Sequence, residues 1–305
     1  MTVASELIDW VKSSVNNGHK PYLIIDSAQF ENSHLKLKKW HVSYESLFDG
    51  KPEASLPEIA PLLIVLFDLE AERIEQLCTW AIELAHKAPC VSWVESVLTA
   101  AAFAEHLRNF HEVNLSEGQS MLMRWYDTRV LPVWLACLSP AQAEQFTASM
   151  LSLNYVNRFG DSAELFRTQV PAALPASLPL GEPIITLTDT QYSMLVDASD
   201  VDTLVSHLRR VITDETNKVP QRTLVEFVGK YQQRAIEAGV DDLDRQTQYV
   251  LLALYTSGKG ADHPLCVEFM KAPPKSLDEF QKVMQELPEL VWEAGLPIWD
   301  VKKSL

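Results

Sequence analysis

Four prolines, Pro171, Pro175, Pro179 and Pro183, fall within 13 residues of a 305-residue chain, and Gly181 adds a further break. Proline lacks an amide donor and resists helix, so no long element can run through this stretch. It reads as a semi-rigid linker over 169–186. The chain is thereby divided into one lobe over 1–168 and another over 187–305. The two lobes differ in kind.

The first lobe alternates helices with strands. Leu7, Ile8, Val11 and Val15 share one face of an opening helix that ends near Asn16-Asn17-Gly18. Tyr22 to Ile25 is a short apolar run ending at Asp26, and Pro61 to Leu66 is another; both read as buried strands, and Val91 to Leu98 reads as a strand carrying Trp93. A helix is expected from about Glu70 to Lys87, stopped by Pro89. Thr99 can cap another, with Phe103, Leu107 and Phe110 inward. His111 to Ser116 and Gln119 to Tyr126 alternate in polarity around Glu117-Gly118, the pattern of a hairpin. Its second strand is expected to put Arg124 on the face of Leu122 and Tyr126. Ser139, Pro140 and Gln142 together open a helix through a capping box.

Beyond the linker everything reads as helix. Thr188 and Gln191 make a second capping box, and Ser276 with Glu279 a third. Leu204, Val205, Leu208 and Val211 form one apolar stripe; Leu224, Phe227, Val228 and Tyr231 form another. A helix from about Asp241 to Tyr255 is expected to end at Gly258. The expected fold class is α+β: a mixed α/β lobe with a small sheet, followed by an all-helical lobe.

Composition removes several classes of function. Asp and Glu outnumber Lys and Arg by 41 to 26, a formal charge of −15, which repels phosphate backbones. The densest basic cluster, Lys36, Lys38 and Lys39 beside Trp40, is too short to change that, so no nucleic acid partner is expected. Cys78, Cys90, Cys137 and Cys266 are too few and too scattered for a disulfide framework or a zinc site. The first residues carry Glu6 and Asp9 and lack a basic stretch before an apolar core, so a signal peptide is not expected. No window approaches the ~20 apolar residues of a bilayer span. A cytoplasmic protein with no membrane partner follows.

Catalytic signatures are sparse. The eight histidines include no H-x-x-x-H pair, so no metal is expected. Gly258-Lys259-Gly260 lacks the frame of a phosphate-binding loop and reads as a helix-terminating turn. No cofactor motif is visible. One constellation stands out: Arg124-Trp125-Tyr126-Asp127-Thr128-Arg129. A carboxylate between two guanidiniums, flanked by aromatics, serves either as a catalytic acid or base, as a partner contact, or as an ion network that fixes a turn. Glu105-His106-Leu107-Arg108 reads as the solvated face of its helix, with a Glu105–Arg108 pair.

Taken in order, these segments resemble a known family. Asp26-Ser27-Ala28-Gln29 follows the first strand, and Leu47-Phe48-Asp49-Gly50 precedes Ala60-Pro61-Leu62-Leu63. His106-Leu107-Arg108, Gly118 and Arg124-Trp125-Tyr126-Asp127-Thr128-Arg129 complete the series. The succession, over roughly 20–160, is similar to the type VI secretion effector chaperones, the Tap or TEC adaptors. Leu62 and Thr128 stand where that pattern has Tyr and Pro. The resemblance implies a non-enzymatic adaptor that binds a toxic effector in the cytoplasm and helps load it onto the valine–glycine repeat spike protein, directly or through the effector. It marks Asp26, Phe48, Gly50, Pro61, His106, Leu107, Arg108, Arg124, Tyr126, Asp127 and Arg129 as structural or partner-binding. The helical lobe carries no matching motif and is expected to select the effector. Trp292, Leu296, Ile298 and Trp299 are its candidate contacts, being apolar bulk without helical period; the alternative is that this tail packs back on its own lobe. Two rival functions remain open: a hydrolase using Asp127 or Asp26, and an immunity protein that blocks a toxin.

Overall fold

The computed structural model describes residues 2–173 and 185–301. The chain forms two compact units, Met1–Val196 and Asp197–Leu305. An N-terminal α/β unit followed by a helical one is the fold class expected. Most of the proline-rich segment, residues 174–184, lies outside the described residues.

The first unit is built on strands β1 (Lys20–Asp26), β2 (Tyr44–Ser46), β3 (Pro61–Val65), β4 (Val91–Ser96), β7 (Met150–Val156) and β8 (Ser162–Arg167). They form one six-stranded sheet in the order β2-β3-β1-β4-β7-β8, and every neighbouring pair is antiparallel. All residues of β3 and β4, and all of β1 after Lys20, are buried. Unbroken apolar runs such as Tyr22-Leu23-Ile24-Ile25 are the sequence form of strands covered on both faces. Helices α1 (Val3–Asn16), α2 (Ser33–Lys39), α3 (Ala71–Ala85) and α4 (Ala100–Arg108) alternate with these strands, and α1 packs on both α3 and β1. Tyr22 reaches α4, its ring 5.4 Å from that of Phe103.

A second sheet of three strands holds β5 (Glu112–Leu115), β6 (Ser120–Leu122) and β9 (Ile185–Leu187), with β9 parallel to β5. The expected hairpin is present, turning at Gly118 with φ of +79°. Its second strand ends at Leu122, however, so Arg124 lies in a turn and no strand alternation sets its direction. Between β6 and β7 along the chain come α5 (Leu131–Cys137) and α6 (Pro140–Thr147). The capping box of α6 is as expected: Ser139 accepts from the Gln142 amide and Gln142 reaches back to Ser139. Strand β9 lies at the end of the stretch expected to be linker.

Helix α7 (Asp189–Val211) starts at the Thr188–Gln191 capping box, and the division between the units falls within it. The second unit continues with α8 (Thr213–Thr216), α9 (Gln221–Glu237), α10 (Leu243–Thr256), α11 (Pro264–Phe269), α12 (Leu277–Glu286) and α13 (Glu289–Trp292). Helices α9 and α10 pack together through Tyr231, Tyr249 and a buried Gln232–Gln246 hydrogen bond of 2.9 Å. Ser276 makes no side-chain cap to α12, contrary to expectation. Gly258 follows α10 with φ of +87°, and a Cβ there would stand 1.8 Å from the Tyr231 hydroxyl, so only glycine fits.

Candidate functional site

Segments scattered over the first unit converge on one corner of the six-stranded sheet. Asp26 ends β1, and its register partner across the ladder is Pro61, the first residue of β3. The Pro61 carbonyl accepts from the Leu47 amide at 2.9 Å, which draws the Leu47–Gly50 turn to the same place. That turn needs a left-handed residue, and Gly50 supplies it with φ of +75°. Arg108, closing α4, donates from Nε and Nη2 to the Ser46 carbonyl at 3.0 and 2.7 Å. Its guanidinium also stands 3.5 Å from the carboxylates of Glu45 and Asp49. Arg108 therefore clamps the turn after β2, and the expected surface pair with Glu105 is absent.

The centre of the corner is ionic. Asp26 is fully buried, and its carboxylate accepts from the Ala28 amide at 3.1 Å and from Arg124 Nη2 at 2.8 Å. This pair joins residues 98 apart in the chain. Asp127, only 2% exposed, accepts from the Arg129 amide and Nε at 3.0 Å each and from Nη2 at 2.6 Å. Arg124 lies 3.8 Å from the same carboxylate. Burial pushes the Asp26 carboxyl upward, and the Arg124 charge opposes that without cancelling it. For Arg124 burial disfavours the charge, but Asp26, with Asp127 and Tyr126, outweighs it and the guanidinium is held protonated more firmly than usual. The Tyr126 hydroxyl is raised by burial and then by Asp26, with Arg124 opposing and Glu53 adding to the rise. Glu53 is also the 2.9 Å partner of the buried His111 ring, which meets Phe48 edge-on at 5.1 Å. His111 and Glu53 thus connect the Phe48 turn to the ionic centre, where the Glu53 charge acts on Tyr126.

His106 and Leu107 support this corner from within. The expectation that His106 lies on a solvated face is wrong: it is 2% exposed, and Nε2 pairs with the Phe146 carbonyl at 3.1 Å. The stripe Phe103, Leu107, Phe110 passes through position 106 on a helix of 3.6 residues per turn, so the ring turns inward and stacks on Phe103. Burial lowers the His106 pKa, so the unfolded state takes up a proton at a higher pH than the folded one. The stability tied to this ring is complete above the unfolded value of about 6.5 and declines as pH falls below it. His106→Gln keeps a donor for the Phe146 carbonyl. Its denaturation midpoint should fall less than the wild-type midpoint between pH 7 and pH 5, as denaturant titrations at the two pH values will show.

The apolar tail belongs to the second unit. Ile298 donates its amide to the Leu254 carbonyl at 2.9 Å, Ser257 Oγ donates to the Leu296 carbonyl at 2.6 Å, and Trp299 meets Tyr255 edge-on at 4.9 Å. The tail folds back on the end of α10, as the alternative held. Trp292, Ile298 and Trp299 are half-buried, while Leu296 stays 66% exposed.

The motif residues of the first unit and the tail of the second are therefore separate features. Glu53, Ser46 and Phe146 were not singled out in the sequence. Glu53 and the Ser46 carbonyl carry no local signal, because their partners lie 58 and 62 residues away. Among the described residues no group of acidic, histidine or cysteine side chains is arranged to hold a metal, and no helix is long and apolar enough to cross a membrane. The four cysteines are buried and free.

Residues 21–145 match the family model of DUF4123, a domain of unknown function. The DUF4123 region contains every residue of the ionic corner. Helix α1 lies before it, and Phe146 directly after it. No curated protein and no solved structure matches the chain.

Proposed function

We propose that the protein is a non-enzymatic adaptor that binds a toxic effector in the cytoplasm and helps load it onto the spike protein of a type VI secretion system. One observation carries this reading. The ordered segments that resemble the effector chaperones, from Asp26 to Arg129, fall inside the DUF4123 match and meet at a single corner. The state of that corner favours a structural or partner-binding role over hydrolysis. Asp127 takes three hydrogen bonds from Arg129, and Asp26 is held by Arg124 and the Ala28 amide. A general base must come within hydrogen-bond reach of its substrate; Asp26 is fully buried and Asp127 only 2% exposed, each turned onto its arginine rather than toward solvent. In this reading the helical unit selects the effector, with Leu296 its most exposed apolar contact in the tail.

Co-purification with truncated fragments of a candidate toxin from a neighbouring reading frame tests the proposal. An adaptor should retain fragments that lack the toxic domain and leave toxicity intact. Retention of the toxic domain alone, with its activity blocked, would make the protein an immunity protein. Asp127→Asn separates the hydrolase: it should weaken folding or capture, whereas loss of turnover in a well-folded variant would favour an enzyme. A spike-protein gene upstream and a toxin gene downstream are the expected genomic setting.

A further inference from the structure

Away from the ionic corner, α1, α2 and α3 enclose an open cleft of about 650 Å³. A second hollow of about 570 Å³ adjoins it and shares Trp40, Glu72 and Gln76 with it; the groove is these two hollows together. At its base Trp40 and Trp80 meet edge-on, ring centres 5.5 Å apart. The Lys36 ammonium sits 4.7 Å from each ring centre, and the Arg73 guanidinium is 6.0 Å from Trp40. The notch is thus already used as a seat for a cation, which the negative ring faces attract.

The rim carries the opposite charge. Glu72, Glu75 and Glu83 project from α3 along the stripe that also holds Gln76, Thr79 and Trp80, and Asp68 and Glu70 continue it. All five acidic residues are exposed, and among the described residues none has an ion-pair partner. Five carboxylates thus outnumber the cations of the groove, Lys36 and Arg73, with Lys87 near Lys36; Lys36 is engaged with both tryptophans, and Arg73 with Trp40 and Gln76. Burial lowers the Lys36 pKa, with Glu83 opposing, so its seat is less favourable to an ammonium than water is. Arginine suits such a seat better, since its guanidinium is more weakly hydrated and stacks on aromatic faces. Helix α1 brings no competing anion site, because the amide of Ser5 is taken by the Thr2 side chain in a capping box. As α1 precedes the DUF4123 match, one wall of this groove is outside the domain.

We propose that this groove captures an arginine-rich segment of a partner protein: one guanidinium displaces Lys36 from the Trp40–Trp80 notch, and its neighbouring cations lie along α3 against Glu72, Glu75 and Glu83. That the partner is a protein rests on the adaptor reading; the cation seat does not.

The test uses the full chain and an acetylated tri-arginine amide peptide, with the tri-citrulline peptide as its uncharged isostere, followed by tryptophan fluorescence. Saturable binding of tri-arginine that weakens as salt rises, with little binding of tri-citrulline, is expected. The triple variant Glu72→Gln, Glu75→Gln, Glu83→Gln should bind about tenfold more weakly, and Lys36→Met about threefold more tightly. All four positions are solvent-accessible, so the variants should fold, and unchanged denaturation midpoints will check this. Equal binding of both peptides, or no change in either variant, would overturn the proposal. So would self-association of the wild type that the triple variant loses, since the occupant would then be a second copy. An effector captured equally by wild type and triple variant would refute the groove and leave the adaptor standing. Peptide binding without any effector capture would do the reverse.

Discussion

Arg124→Ala should cost about 3 kcal/mol of folding stability, because it strands the Asp26 carboxylate in the interior without a counter-charge. Asp26 is fully buried, and Arg124 is its only ion-pair partner among the described residues. Removing one member of a buried pair is costly because the other keeps its desolvation penalty. The figure belongs at the low end of the usual range, since the Arg124 side chain is itself 40% exposed and water can enter behind it. Two companion results identify the cause. Adding Asp26→Asn to the variant should restore most of the loss, a coupling that a double-mutant cycle reads directly. Lowering the pH should also help the single variant. The Asp26 pKa is already raised in the folded state and rises further without Arg124, so the folded chain binds the proton first and gains stability as pH falls through that value. A variant that stays as stable as wild type, or whose loss Asp26→Asn leaves untouched, would show that the pair does not hold this corner.

Phe146→Ala should be at least as damaging, at about 3–5 kcal/mol. Its ring is fully buried and lies at the centre of an aromatic cluster: Phe110 at 5.1 Å, Trp125 at 5.4 Å and Trp134 at 5.9 Å, all near right angles. Truncation leaves a hole among three rigid rings that cannot collapse into it. Trp125 is the neighbour of Tyr126, and the Phe146 carbonyl holds His106, so the loss should reach the ionic corner as well. Phe146→Leu fills most of the volume and should cost under about 1.5 kcal/mol. Equilibrium denaturation of the pair of variants measures the difference; equal losses would mean the ring packing is not what matters there.

The legible and illegible parts of this fold differ in how local their causes are. Strands β1 and β3 could be read because each is built on a continuous apolar run, β4 from Val91, Trp93 and Val94, and α6 because Ser139, Pro140 and Gln142 lie within four residues. Strand β2 has three residues and β9 another three, too few for any period to show. The sheet order is invisible locally, because β3 and β4 flank β1 and only the packing of α3 carries the chain across. At the site, the motif residues could be named but not assembled: Asp26 meets Arg124 only once the sheet and the 124–129 turn are both in place. His106 shows the opposite failure. Its inward position followed from helical spacing, but a polar side chain between apolar neighbours was given to solvent. The Lys36–Trp40 spacing of one helical turn was likewise in view, while Trp80, 40 residues on, was not connected to it.

Co-expression with any candidate toxin encoded by a neighbouring reading frame, followed by size-exclusion chromatography and an assay of toxic activity across the eluted peak, measures the central claim most directly. An adaptor should elute together with the toxin in a defined complex that keeps its toxic activity while the two are bound. No complex, or a complex in which toxicity is blocked at its active site, would contradict it.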